Sequence, residues 1–75
     1  MEKLLTLTIT NYDADQFEQS NDILANYHSY QKVAYHHYGS IYIIEVVDNN
    51  MGYLCSIWDS LKDLGVDLAI RNFER

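Results

Sequence analysis

The spacing of apolar positions along the chain changes between two periods. Residues 3–10 alternate, with Leu5, Leu7 and Ile9 on one side and mainly threonine on the other. This period of two predicts a half-buried strand. Residues 14–28 then follow a helical period after Asp13, which is a suitable N-cap. The apolar side of this helix is expected to carry Phe17, Ser20, Ile23, Leu24 and Tyr27.

The middle of the chain contains a predicted β-hairpin. Residues 32–38 and 41–47 are rich in tyrosine, valine and isoleucine, which favours two strands. Gly39 and Ser40 suit a two-residue turn with a positive φ at the glycine, so Tyr38 is expected opposite Ile41. One face of the hairpin is then expected to carry Val33, Tyr35, His37, Tyr42, Ile44 and Val46, with Tyr35 and Tyr42 in the core. The other face is expected to carry Ala34, His36, Tyr38, Ile41, Ile43 and Glu45.

The last third of the chain changes once more from a helical period to a strand period. Residues 51–64 predict a second amphipathic helix, and Gly65 suits its C-cap. Residues 66–71 alternate and predict a last strand. The buried stripe of the second helix is expected to comprise Leu54, Ile57, Trp58, Leu61 and Leu64.

The predicted element order is therefore β-α-β-β-α-β, in one domain that spans residues 1–75. The expected fold class is α+β with the ferredoxin-like arrangement. It is a four-stranded antiparallel sheet, in the order 4-1-3-2, with two helices on one face. This arrangement hosts many unrelated functions, so function has to be argued from particular residues.

The charge balance narrows the classes of partner. Eleven acidic residues face five basic ones, which gives a net charge of −6. This balance argues against direct nucleic-acid binding and against anionic membranes, because both rest on lysine and arginine. It is compatible with a protein partner that has a basic surface, and equally with plain solubility. The single Cys55 and the lack of a long apolar run favour a cytoplasmic protein, located in the host cytoplasm if the chain is viral.

The sequence offers little for catalysis or for metal binding. His36 and His37 are adjacent in a predicted strand, so their side chains are expected on opposite faces and cannot share one metal ion. His36 shares a face with Glu45 and could form a pH-sensitive pair with it. Cys55 has no base beside it in the sequence, and the glycines form no phosphate-binding loop. We therefore expect no enzymatic activity, no catalytic residues, no metal and no cofactor.

Two surfaces remain as candidates for partner binding. The acidic surface comprises Asp15, Glu18 and Asp22 on the first helix with Asp59 and Asp63 on the second. An ordinary solvated face is the alternative interpretation of these carboxylates. The outer sheet face offers Tyr38, Ile41 and Ile43, predicted as exposed apolar side chains of the kind that mark association. An ordinary open sheet face is the alternative there.

These surfaces lead to two functional hypotheses. The first is a small acidic, non-enzymatic protein that inhibits or regulates a protein partner, with a nucleic-acid-binding surface of that partner as one target. In size and charge the chain is similar to phage-encoded inhibitors of host machinery, such as anti-CRISPR proteins. The alternative is a homodimeric ferredoxin-like module, regulatory or small-ligand-binding, that pairs through its outer sheet face.

Overall fold

The computed structural model describes residues 4–27 and 32–72, without the side chains of residues 32 and 33. The elements in chain order are β1 (Leu5–Asn11), α1 (Ala14–Leu24), β2 (Lys32–Tyr38), β3 (Ile41–Asp48), α2 (Met51–Leu61), a short 3-10 helix (Lys62–Leu64) and β4 (Asp67–Asn72). This order confirms the predicted β-α-β-β-α-β succession.

The four strands form one antiparallel sheet in the order β2-β3-β1-β4, which is the predicted ferredoxin-like topology. The hairpin register is also confirmed, since Tyr38 pairs with Ile41 and Ala34 pairs with Glu45. Gly39 has a φ of 60°, a conformation that glycine adopts without steric cost, as a two-residue turn requires. The turn therefore fixes which residues share a face of the sheet.

Local hydrogen bonds explain where the two helices begin and end. The Asp13 side chain accepts a hydrogen bond from the backbone N–H of Gln16 at 2.8 Å and caps α1 as predicted. The helix ends at Leu24, earlier than the predicted residue 28, which lies outside the described residues. The backbone N–H groups of Asn26 and Tyr27 bond to carbonyls three residues back, so the chain tightens into a turn there. Gly65, at a φ of 82°, closes the second helical segment as predicted.

The core cluster lies between the sheet and the two helices, and on the opposite face of the sheet Thr6 and Val47 are also buried. Its fully buried members are Leu7 and Ile9 of β1, Ile44 and Val46 of β3, and Leu54, Ile57 and Leu61 of α2. Leu24 and Val66 complete the cluster, while Phe17, Trp58 and Leu64 are half-buried against it. These residues occupy the predicted apolar stripes, so hydrophobic burial orients both helices.

The prediction that Tyr35 belongs to the core is wrong, because its side chain is 56% exposed. Both helices pack on the central strands β1 and β3, whereas Tyr35 lies on the edge strand β2. Its ring meets the Phe17 ring in a T-shaped arrangement, at a centroid separation of 6.2 Å. Tyr42, on the adjacent strand, is half-buried and stacks on Phe17 at 4.9 Å.

A buried polar contact joins α1 to the sheet. Ser20 and Asn11 are both fully buried, and the Ser20 hydroxyl donates to Asn11 Oδ1 at 2.6 Å. The Asn11 side-chain amide in turn donates to the Tyr42 carbonyl at 3.0 Å. Each buried polar side chain is therefore satisfied, which explains how a serine occupies an apolar helix position.

We expect Ser20→Ala to lower the free energy of unfolding by about 1–3 kcal/mol, because it leaves a buried amide oxygen without its donor. The measurement is the urea midpoint at a fixed protein concentration. Ser56→Ala is the matched control, since Ser56 is an exposed helix serine and its loss should change stability by under about 0.5 kcal/mol. Equal midpoints for Ser20→Ala and Ser56→Ala would contradict the structural role of this contact.

Candidate functional site

The face of the sheet opposite the helices carries a regular array of short and long side chains. We call this face, on which no described helix packs, the outer face. Strand alternation and the observed registers place the following residues on it: Thr6, Thr8 and Thr10; Ala34, His36 and Tyr38; Ile41, Ile43, Glu45 and Val47; and Asp67, Ala69 and Arg71. The face therefore has a polar threonine row at its centre with larger groups on both sides.

An apolar and aromatic group occupies the end of the outer face nearest the hairpin turn. We call it the outer patch, comprising Tyr12, Tyr38, Ile41 and Ile43. Tyr38 is 63% exposed and Tyr12 is 45% exposed. The prediction that the two isoleucines are exposed is wrong. They are half-buried, since cross-strand pairing sets Tyr38 beside Ile41 and His36 beside Ile43.

Tyr12 is the member of the outer patch that the sequence did not reveal. The predicted first strand ended at residue 10, yet the alternation of its side chains continues through Asn11 and Tyr12. Asn11 points to the core and Tyr12 to the outer side, where its hydroxyl donates to the Asp67 carboxylate of β4. This hydrogen bond anchors the Tyr12 side chain to the sheet.

Beside the outer patch lies a shallow depression of about 270 Å³, which we call the outer basin. Its lining comprises Thr8, His36, Tyr38, Ile43, Glu45 and Arg71. Thr8 pairs with Glu45 on one side and with Ala69 on the other, and Glu45 pairs with Ala34. The two alanines at the ends of this row leave room that longer side chains would occupy. The basin thus follows from the tertiary register of all four strands.

The two charged side chains of the outer basin, Glu45 and Arg71, differ in whether they have a partner among the described residues. His36 Nε2 lies 2.6 Å from Glu45 Oε1, so the predicted same-face pair is formed. The cationic side chains that the structure describes are Lys62 and Arg71. Lys62 lies 3.8 Å from Asp59, whereas Arg71 forms no ion pair with any described residue. Arg71 therefore lines the basin as a positive charge that has no ion-pair partner within residues 4–27 and 32–72.

The acidic surface lies on the helix side of the molecule. All five of its carboxylates are exposed, as their helix positions predicted: Asp15, Glu18, Asp22, Asp59 and Asp63. Within the described residues only Asp59 has a cationic neighbour, Lys62. The helix side therefore concentrates negative charge, and its use as a binding surface stays a prediction.

Other chemistry-bearing side chains are dispersed. His37 points to the helix side and stacks on Tyr42 at 4.3 Å, away from His36 on the outer face. Cys55 is exposed. Among residues 4–27 and 32–72, no three His, Cys, Asp or Glu side chains cluster in a way that could hold a metal ion. No helix within these ranges is both long enough and apolar enough to cross a membrane.

Comparison with known proteins identifies structural but not sequence relatives. No protein-family model matches the chain, and no curated protein matches it in sequence. An uncharacterized protein from Thermotoga maritima superposes with a TM-score of 0.76 at 16% identity, over 99% of this chain and 100% of that one. A de novo designed protein superposes with a TM-score of 0.63 at 10% identity, over 100% of this chain and 99% of the design.

A domain with a named context is also similar. The ACT domain from the GTP pyrophosphokinase of Chlorobium tepidum superposes with a TM-score of 0.68 at 13% identity, over 97% of this chain and 100% of that domain. At sequence identities this low, the superpositions establish a common architecture and no common function. The chain therefore shares its ferredoxin-like fold, strand order included, with an ACT domain.

Proposed function

We propose that this chain is a non-enzymatic regulatory or ligand-binding module that acts as a homodimer paired through the outer face. The observation that carries the proposal is the outer patch. Tyr12 and Tyr38 expose large aromatic side chains on a sheet face without a helix, beside two half-buried isoleucines. Exposed apolar groups of this kind on small domains mark association sites.

The distribution of charge favours a second copy of the chain as the occupant of this face. The net charge of −6 opposes self-association wherever negative groups face one another. The acidic surface would repel its own copy, whereas the outer face sets the cationic Arg71 on the same face as the carboxylates of Glu45 and Asp67. In a dimer with a two-fold axis, the same patch of each copy meets its counterpart. The outer patch can therefore form the contact by itself, without a second surface.

The structural neighbours support a module rather than an inhibitor. The similar ACT domain is part of a GTP pyrophosphokinase, and this chain matches that domain over its full length. The similar structures described above include no inhibitor of host defence. Exposed carboxylates are common on ordinary solvated faces. They therefore do not favour the inhibitor hypothesis over the module.

The experiment for the homodimer is a measurement of mass against concentration by sedimentation equilibrium. The mass should rise from 8.8 kDa toward twice that value between low micromolar and high micromolar concentration. Raising the salt concentration should strengthen the dimer, because salt screens the repulsion between two chains that each carry a net charge of −6. A mass that stays at the monomer value up to millimolar concentration would refute the homodimer.

A further inference from the structure

We infer that the outer basin binds a small carboxylic acid attached to an apolar ring, with Arg71 as the anchor of the carboxylate. This inference rests on the proposed ligand-binding function and names the ligand class for it. Nothing in the fold requires a cation at position 71, which lies on the edge strand β4 with its side chain exposed. Arg71 nevertheless borders the depression, together with Thr8.

The polar side of the basin matches a carboxylate in geometry and in charge. An arginine guanidinium presents a planar fork of donors that binds the two oxygens of a carboxylate together. Arg71 has no competing ion pair among the described residues. Thr8 of β1 belongs to the same lining, and a threonine hydroxyl can donate a hydrogen bond.

Glu45 is the group that would oppose an anion in this basin, and its carboxylate is hydrogen-bonded to His36. His36 Nε2 contacts Glu45 Oε1 at 2.6 Å, so the carboxylate is engaged within the protein. Arg71 is then the charged group in the lining without a partner among the described residues, and it favours an anionic ligand.

The other side of the basin is suited to a flat apolar group. The Tyr38 ring is largely exposed and lies nearly parallel to the His36 ring, at an interplanar angle of 12° and a centroid separation of 6.4 Å. Ile43 adds an aliphatic surface beside them. Aromatic rings favour stacked or edge contacts with such surfaces, so an aromatic ligand body fits better than an extended polar one.

The size and openness of the basin set the expected affinity. A volume of about 270 Å³ lies just below the range of about 300–1,000 Å³ for drug-sized ligand pockets, so the ligand is a single ring with a short acid tail. One copy covers only one side of such a ligand, which predicts weak, millimolar binding to the monomer. A second copy over the outer face would cover the other side, so ligand and dimerisation should reinforce one another.

The test is an amide NMR titration with three probes that share one ring: 3-phenylpropionate, 3-phenylpropan-1-ol and 3-phenylpropylamine. We expect the acid to bind at least about tenfold more tightly than the alcohol, and the amine to bind weakest, because only the acid pairs with Arg71. Saturable shifts should concentrate at Thr8, Ile43 and Arg71. Equal affinity for the acid and the alcohol, or shifts spread over the whole chain, would overturn the inference.

Variants separate this inference from the homodimer. Arg71→Gln should weaken binding of the acid at least about tenfold and leave binding of the alcohol unchanged, and Lys62→Gln is the matched control with wild-type binding. A dimer that never binds 3-phenylpropionate refutes the basin and leaves the homodimer intact. A strict monomer that binds it refutes the homodimer alone. Wild-type affinity for the acid in Arg71→Gln overturns the role of Arg71.

Discussion

Leu54→Ala is expected to lower the free energy of unfolding by about 2–5 kcal/mol, the cost of removing a leucine from a fully packed site. Leu54 is fully buried at the centre of the core cluster, where α2 meets the sheet. Small domains have total stabilities near the lower end of roughly 5–15 kcal/mol, so this loss is a large fraction of the whole. Urea denaturation followed by circular dichroism, at one fixed protein concentration, measures it.

Cys55→Ala provides the matched control for the core. Cys55 is the next residue of the same helix but is exposed, so its replacement should change stability by less than about 0.5 kcal/mol. The contrast between neighbouring positions tests which face of α2 is buried. A loss for Cys55→Ala as large as that for Leu54→Ala would contradict the orientation of the helix.

Ile43→Asp is expected to weaken the homodimer at least about 100-fold, because a contact on a two-fold axis carries each substitution twice and would bury an unpaired carboxylate. Ile43 is half-buried and belongs to both the outer patch and the outer basin. Sedimentation equilibrium should find only monomer at concentrations where the wild-type chain is dimeric. Circular dichroism should retain the wild-type secondary structure.

If Ile43→Asp folds poorly, a second variant on the outer face and a control variant away from it still test the homodimer. Tyr38→Glu changes a side chain that is 63% exposed on an edge strand, so folding should be preserved while the dimer is weakened. Met51→Asp places the same charge on an exposed apolar position at the start of α2, away from the outer face, and should leave the dimer unchanged. Dimerisation that survives both Ile43→Asp and Tyr38→Glu would place the contact elsewhere.

The fold was predictable because local signals agreed with one another. The two-residue turn at Gly39 and Ser40 left one register for the hairpin, and the observed pairing of Tyr38 with Ile41 follows it. The Asp13 cap and the Gly65 conformation marked helix ends through their own backbone chemistry. Each of these signals acts over a few residues, so the sequence displays it directly.

The exposure of individual side chains was less predictable, because it depends on which strand a helix covers. Tyr35 and Tyr42 lie on the same face of the hairpin, yet Tyr35 is exposed and Tyr42 is half-buried. The difference arises because Tyr35 is on the edge strand, beyond the two helices. The alternation of side chains along a strand shows on which face of the sheet a residue lies. It does not show how far the helices extend over that face.

The sequence by itself determined the order of elements, the hairpin register, the buried stripes of both helices and the exposed carboxylates of the helix side. Only the tertiary structure decided which side chains lie next to one another on the outer face. Tyr12 joins the outer patch through Asp67, and Arg71 meets Thr8, Glu45 and His36 in one basin. These residues come from four different strands, and their proximity is set by long-range pairing that no local pattern encodes.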